Sequence, residues 1–119
     1  MNRILDDDSV IGAVNYEHAA TALHAKGRMR ADVFHHKIMV DSAMDVMLSA
    51  LITHEQGIVL KKQAVAMANR LNSDEAAVII GQLSVAGLLR VDTQSDQVML
   101  TDQGVARMRR YVEMVMADR

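Results

Sequence analysis

The clearest pattern of hydrophobic and polar positions lies in the middle of the chain, after Asp41. Five apolar residues there follow the i, i+3, i+4, i+7, i+8 spacing of one helical face: Ala43, Val46, Met47, Ala50 and Leu51. Further apolar positions widen that face, so we expect this helix to be largely buried. Asp41 or Ser42 can cap its first turn, and the helix should end before Gly57.

Short elements follow this helix, separated by glycines and polar residues. Residues 58–60 are β-branched or apolar and predict a short strand, and residues 61–71 predict a second helix. Further along, residues 88–91 and 97–100 predict two strands. Because only the polar turn at 92–96 separates them, the two strands should form a hairpin.

A third helix is predicted between the second helix and the hairpin. Asn72 or Ser73 can cap it, and it should run to about Val85. If Asn72 is the cap, Glu75 occupies the third helical position, as in a capping box. The resulting order is helix, short strand, helix, turn, helix, strand, turn, strand, which is the order of a winged helix-turn-helix domain.

Two further helices are predicted at the ends of the chain. Ser9 can cap a helix over residues 10–25, which Gly27 should end. Residues 28–40 form a basic connector that can be partly helical around Val33, Phe34 and Ile38. Thr101 can cap the last helix. The predicted fold is therefore mainly α with a small β-hairpin: a winged helix-turn-helix with extra N- and C-terminal helices.

The terminal helices carry apolar residues that have no evident place inside a single winged-helix core. They are Val10, Val14 and Leu23 at one end, and Met108, Val112 and Val115 at the other. Exposed apolar patches of this size are typical of interfaces, so we expect a homodimer formed by both terminal helices. The predicted organisation is residues 1–40 and 105–119 for dimerisation, and residues 41–104 for the winged helix-turn-helix domain.

The charge of the chain bears on its partners, because nucleic-acid-binding domains are usually basic. The net charge is −2 over 119 residues. Residues 41–105 hold eight acids and four bases, which are Lys61, Lys62, Arg70 and Arg90. The chain has no cysteine, and no apolar stretch approaches the ~18 residues of a membrane span. We expect a cytoplasmic protein that does not enter a membrane.

The residues that usually carry catalysis or bind metals show no functional spacing. His18 and His24 are six apart, His35 and His36 are adjacent, and His54 stands alone. Metal-binding pairs on a helix are usually four apart. No nucleophile lies at local spacing from a base, and no glycine-rich phosphate loop occurs. We therefore predict no catalytic residues, no metal and no cofactor, and expect that the protein is not an enzyme.

Two runs of residues resemble a known family. Leu83-Ser-Val-Ala-Gly-Leu-Leu-Arg90 and Val98-Met-Leu-Thr-Asp-Gln-Gly104 resemble the end of a MarR-type winged-helix domain, with its Gly-Leu pair, wing and Leu-Thr-x-x-Gly. The stretch Asp41-Ser-Ala-Met-Asp-Val-Met-Leu48 is similar to the opening helix of such domains. The resemblance covers about residues 41–110. It implies a dimeric transcription regulator whose terminal helices form the dimer interface.

The resemblance also implies a DNA-binding surface on the third helix and the wing. Nine residues are its candidates: Lys61, Lys62, Arg70, Asp74, Glu75, Val78, Gln82, Arg90 and Gln94. The bases would contact phosphates, joined by Arg28 and Arg30, while the third helix would approach the major groove of double-stranded DNA. Because that helix is acidic, two hypotheses stay open: a weakly binding DNA regulator, or a winged-helix protein–protein interaction module that has lost DNA binding.

Overall fold

The structure, a computed structural model, describes residues 15–34 and 41–117, without the side chains of residues 30–34. Within those ranges lie α1 (Tyr16–Phe34), α2 (Ser42–Gln56), α3 (Lys62–Ala68), α4 (Ser73–Val85), β1 (Leu89–Asp92), β2 (Gln97–Leu100) and α5 (Asp102–Ala117). A mainly helical fold with one small hairpin is therefore confirmed. None of the helices described is long and apolar enough to cross a membrane.

Helix α2 lies at the centre of the core, as its apolar spacing predicts. Every residue from 45 to 51 is buried, and α1, α4, α5 and β2 all pack against this helix. Asp41 caps its start, because Asp41 Oδ1 accepts a hydrogen bond of 3.0 Å from the backbone N–H of Met44. Gly57 ends it in the left-handed conformation, with φ of 72°.

Helix α1 corrects the prediction that Gly27 ends the first helix. The helix continues to Phe34, so part of the predicted connector is helical, and residues 35–40 lie outside the described residues. Gly27 is buried against α2, where an added Cβ would lie 2.7 Å from Oδ1 of Asp45. The glycine therefore permits a close approach between two helices, a role that its local sequence does not show.

The start of α4 confirms the predicted capping box. Asn72 Oδ1 accepts the Glu75 backbone N–H at 2.8 Å, and Glu75 Oε1 accepts the Asn72 backbone N–H at 3.0 Å. The second predicted helix is shorter than expected, since α3 ends at Ala68. A turn follows, in which Arg70 adopts a left-handed backbone with φ of 54°.

The hairpin has the predicted position, but the strand predicted at 58–60 is wrong. β1 and β2 pair antiparallel, with Leu89 opposite Leu100 and Asp92 opposite Gln97. The earlier segment contributes one isolated bridge, from Lys61 to Gln97. The Leu60 carbonyl also accepts the Val98 backbone N–H at 2.7 Å, whereas the structure assigns no strand to Ile58 and Val59, which are exposed.

Helix α5 is attached to the hairpin through the Leu-Thr-x-x-Gly run. Thr101 Oγ1 donates to the Gly87 carbonyl at 2.6 Å and accepts the Gly104 backbone N–H at 3.0 Å. The Thr101 backbone N–H donates to the Leu88 carbonyl at 3.1 Å. A Cβ on Gly104 would overlap that same carbonyl oxygen. The run therefore caps α5 and brings its backbone against residues 87 and 88.

Two residues predicted for the dimer interface are instead part of the core. Met108 is 3% exposed and Val112 is fully buried, and both belong to the core cluster, against which Leu23 is packed half-buried. The prediction assumed that α1 and α5 have no packing partner within the chain, whereas both pack on α2. Val115 is half-buried, and Val10 and Val14 lie outside the described residues.

Candidate nucleic-acid interface

The outward face of α4 contains three of the predicted contact residues. Asp74, Val78 and Gln82 are exposed, and Val78 retains 58% of its accessible surface. Glu75 is half-buried, and its carboxylate accepts the hydrogen bond from the α4 cap. Glu75 therefore has a structural role in the capping box and is less available to a ligand than Asp74.

Sequence reasoning missed three other residues on this face. Ala77, Gly81 and Val85 are exposed; Val85 retains 92% of its surface, and the Cβ direction of Gly81 opens into free space. Projecting the helix at 100° per residue from Asp74 would have identified them. The outward face is therefore mostly small and apolar, with one carboxylate and one amide.

This composition limits what α4 can recognise. Gln82 can form paired hydrogen bonds with adenine, and Val78 can contact a thymine methyl group. Asp74 can only accept, so among base edges it suits the cytosine amino group, and it repels phosphate. The face carries no Arg or Lys, the side chains that most often read guanine.

The four predicted phosphate contacts lie on different elements. Lys61 precedes α3 and is exposed, while Lys62 has its Nζ 3.9 Å from Oδ1 of Asp96. Arg70 is exposed in the turn before α4. Arg90 is exposed on β1, with Nη2 3.9 Å from the sulfur of Met99. Lys62 is therefore partly neutralised by the hairpin, and the other three side chains are exposed.

The tip of the hairpin is acidic. The Asp92 carboxylate accepts the Gln94 backbone N–H at 3.0 Å, and this bond lowers the pKa of Asp92 below its ordinary value, with a further contribution from Ser95. Asp92 is therefore ionised at neutral pH. Asp96 adopts a left-handed backbone, with φ of 60°, and pairs with Lys62. Gln94 is exposed at the tip as predicted, but it has acidic neighbours.

Charge among the candidate contact residues and the acids of α4 and the hairpin is balanced. Four bases are matched by four acids on α4 and the hairpin: Asp74, Glu75, Asp92 and Asp96. Phosphate contacts supply most of non-specific DNA affinity through counterion release. A neutral surface gains little from that term, so DNA binding here would depend on shape and base contacts.

Arg28, expected to join the phosphate contacts, has another role. Its guanidinium is largely buried, with Nη2 2.5 Å from Oδ2 of Asp45. Moving it to a phosphate would leave the Asp45 carboxylate buried and unpaired, which is strongly unfavourable. The structure therefore corrects this expectation for Arg28, and the side chain of Arg30 lies outside those described.

A polar contact joins α1 to α5 away from this face. The Arg109 guanidinium lies 4.9 Å above the Tyr16 ring and donates to Glu55 at 2.7 Å. Tyr16 donates its hydroxyl proton to Glu113, a bond that raises the pKa of the phenol above its ordinary value. These contacts hold the two outer helices together, so Arg109 has a structural partner.

Histidines do not converge into a metal site within the described ranges. His18 and His54 are exposed, His24 is hydrogen-bonded, and no three His, Asp or Glu side chains there could hold an ion together. His35 and His36 lie outside the described residues.

An apolar cavity of about 360 Å³ lies between α2, α4 and α5, lined among others by Met44, Met47, Leu83, Leu88 and Met108.

Comparison with known proteins adds no identity. No protein-family model, no curated protein and no solved structure matches this chain.

Proposed function

We propose that this chain is a MarR-like winged helix-turn-helix regulator that binds duplex DNA as a homodimer. The observation that supports the proposal most is the order α2, edge bridge, α3, turn, α4, hairpin, with α4 buried on one side and exposed on the other. In winged-helix proteins the helix in that position enters the major groove.

The balanced charge of the surface favours weak DNA affinity at physiological salt. Each phosphate contact contributes about 0.9 to the slope of log affinity against log salt. Three exposed bases, Lys61, Arg70 and Arg90, would give a shallow slope. The homodimer draws support from the exposed methionines on the outer helices, since Met29 and Met114 are 64% and 60% exposed.

A second candidate function is contact with another protein through the same helix. The observation that favours it is the exposure of Val78 and Val85 on either side of Gly81. Aliphatic side chains on an outward helix face gain more from a protein groove than from a phosphate backbone. In this case the acidic residues around α4 would select a basic partner.

Binding to random duplex DNA over a salt series tests both functions. Native protein should bind weakly with a measurable slope, and Lys61→Ala should reduce that slope by about 1 per protomer, or about 2 for the proposed homodimer. Lys26→Ala removes an exposed charge from α1 and serves as the matched control, with the slope unchanged. Absence of salt-dependent binding at low salt would reject the DNA function and leave the protein-contact candidate.

A gain-of-function pair tests whether α4 faces the nucleic acid. Val78→Arg adds a cation to α4, and Met29→Arg adds the same charge to an equally exposed position on α1. The first should raise affinity for duplex DNA more than the second, because α4, unlike α1, should approach the DNA. Equal increases would mean that α4 is not the DNA-facing element.

Light scattering on the native protein at micromolar concentration tests the homodimer.

A further inference from the structure

A cluster of buried polar side chains lies between α1, α2 and the turn after α3. Its centre is Asp45, which is 3% exposed within the most buried part of α2. Arg28 reaches it from α1, and the side chains of the pair are only 15% and 4% exposed. Gly27 makes room for this contact, because a side chain there would meet the Asp45 carboxylate.

The same cluster includes Asn69, the residue that ends α3. Asn69 is 3% exposed, and its backbone carbonyl accepts a hydrogen bond of 3.2 Å from Nη1 of Arg28. Its side chain accepts from Nε2 of His24 at 2.7 Å and donates to the Val65 carbonyl at 3.0 Å and to Ser49 Oγ at 3.2 Å. Three helices therefore determine the position of this one residue.

The arrangement is a poor source of stability. Burying an ion pair costs desolvation free energy that the attraction only roughly recovers. Here the recovery is incomplete, since Nε of Arg28 is buried without a hydrogen-bond partner among the residues described. What a buried and directional pair supplies instead is a defined geometry, because a guanidinium donates along fixed directions.

The geometry of the Arg28–Asp45 pair bears on the position of the turn that leads into α4. Only Arg70 and Leu71 separate Asn69 from Asn72, which caps α4. Arg70 has φ of 54°, a conformation that a non-glycine residue holds only when its surroundings enforce it. The direction in which α4 leaves the turn therefore depends on how firmly Asn69 is held.

We propose that Arg28 is a positioning residue for α4, and that the Arg28–Asp45–Asn69 cluster transmits movements of α1 to the turn that aims α4. A shift of α1 cannot occur without moving the guanidinium that holds the Asn69 carbonyl. This coupling between α1 and the turn before α4 does not depend on any ligand of α4. A further consequence, that a change at α1 alters binding by α4, does rest on the proposed function.

Residue-resolved hydrogen exchange on the full chain tests the link. In Arg28→Met, the amides of residues 69–72 should exchange about tenfold faster, which corresponds to the loss of one charge-assisted hydrogen bond. Because this change also leaves the Asp45 carboxylate unpaired, the amides of β1 and β2 should accelerate too, but by less than those of residues 69–72. Lys26→Met, an exposed change two residues earlier on α1, is the matched control and should change neither region.

A conservative variant separates positioning from stability. Arg28→Lys keeps a cation beside Asp45 but lacks the second, fixed donor for the Asn69 carbonyl. It should leave exchange in the hairpin unchanged while exchange at 69–72 rises. It also serves if Arg28→Met fails to fold. In Arg28→Lys, uniform acceleration across the chain or no acceleration at 69–72 would overturn the proposal.

The link should also work in the opposite direction, because coupling between two sites is reciprocal. Asn69→Ala should speed exchange of the amides at 24–28 in α1 and leave those of α5 unchanged. These measurements need no DNA, so failure of the DNA function leaves them unaffected. Acceleration in α5 equal to that in α1 would contradict the link.

Discussion

The two outer helices are attached to the rest of the molecule by different means. The start of helix α5 is attached to the hairpin through neutral hydrogen bonds and a backbone-to-backbone contact, in which Thr101 donates to the Gly87 carbonyl and Gly104 lies against Leu88. Helix α1 is attached through a buried ion pair between Arg28 and Asp45. The first junction needs no charge to leave water, whereas the second does.

This difference separates stability from geometry. Neutral hydrogen bonds and close backbone packing hold the start of α5 against the hairpin without desolvating any ion at that junction. The α1 junction gains little net free energy but defines direction. We therefore expect that removing one side chain of the Arg28–Asp45 pair lowers stability more than removing one hydrogen bond at the start of α5.

The largest expected effect is at the α1 junction. Asp45→Ala should lower the free energy of unfolding by about 3–5 kcal/mol, because it leaves the Arg28 guanidinium buried and unpaired. The double variant Arg28→Met/Asp45→Ala should be more stable than Asp45→Ala alone, since the unpaired charge is gone. Urea denaturation measures both. If the double variant is less stable than Asp45→Ala, the unpaired Arg28 guanidinium is not what destabilises the single variant, and the expected cost of a buried unpaired charge is wrong.

Gly104→Ala tests the α5 junction and should cost about 2–3 kcal/mol, because its Cβ would overlap a backbone oxygen that cannot move easily. Gly81→Ala is the matched control. That glycine is also helical, but it faces open space, so alanine should stabilise the protein by about 0.5–1 kcal/mol. Thermal unfolding of the two variants should shift in opposite directions, and equal shifts would exclude steric overlap as the cause.

Thr101→Val removes the hydroxyl that serves both Gly87 and Gly104 while keeping the side-chain shape. We expect a loss of about 1–2 kcal/mol, typical of an N-cap together with one further hydrogen bond. Thr93→Val at the exposed hairpin tip should be close to neutral. If chemical denaturation finds Thr101→Val equally neutral, the hydroxyl of Thr101 does not help to hold α5 against the hairpin.

The smallest expected effect is at Arg70, and it is a gain. Arg70→Gly should stabilise the native state by roughly 0.5 kcal/mol, because glycine adopts the left-handed conformation without steric cost, and this outweighs its greater freedom when unfolded. Arg90→Gly, in strand β1, should instead destabilise the protein. A loss of stability in Arg70→Gly would show that the arginine side chain matters more to the turn than its backbone strain.

Local patterns predicted what depends on neighbours in the sequence. The capping box of Asn72 and Glu75 and the apolar spacing of α2 involve residues three or four apart, so the sequence displays them directly. The Gly-Leu pair and Leu-Thr-x-x-Gly form a junction across a short hairpin, which makes that junction visible too.

Contacts between distant residues escaped prediction. Arg28, Asp45 and Asn69 are spread over three helices, so Gly27 resembled a helix stop and Arg28 resembled a phosphate contact. Met108 and Val112 were assigned to a dimer interface because a helical pattern shows an apolar face but not what covers it. On α4 the candidates Asp74, Val78 and Gln82 are exposed, as a helical wheel implies.

The outward face of α4 has a consequence for how this protein can diverge. Asp74, Ala77, Val78, Gly81 and Val85 are exposed, while Ala76 and Ile80 supply the fully buried contacts of the same helix. Substitutions on the outward set therefore cost the fold almost nothing. Duplicated copies of the gene could accumulate such changes freely and acquire new binding preferences without any compensating change elsewhere in the chain.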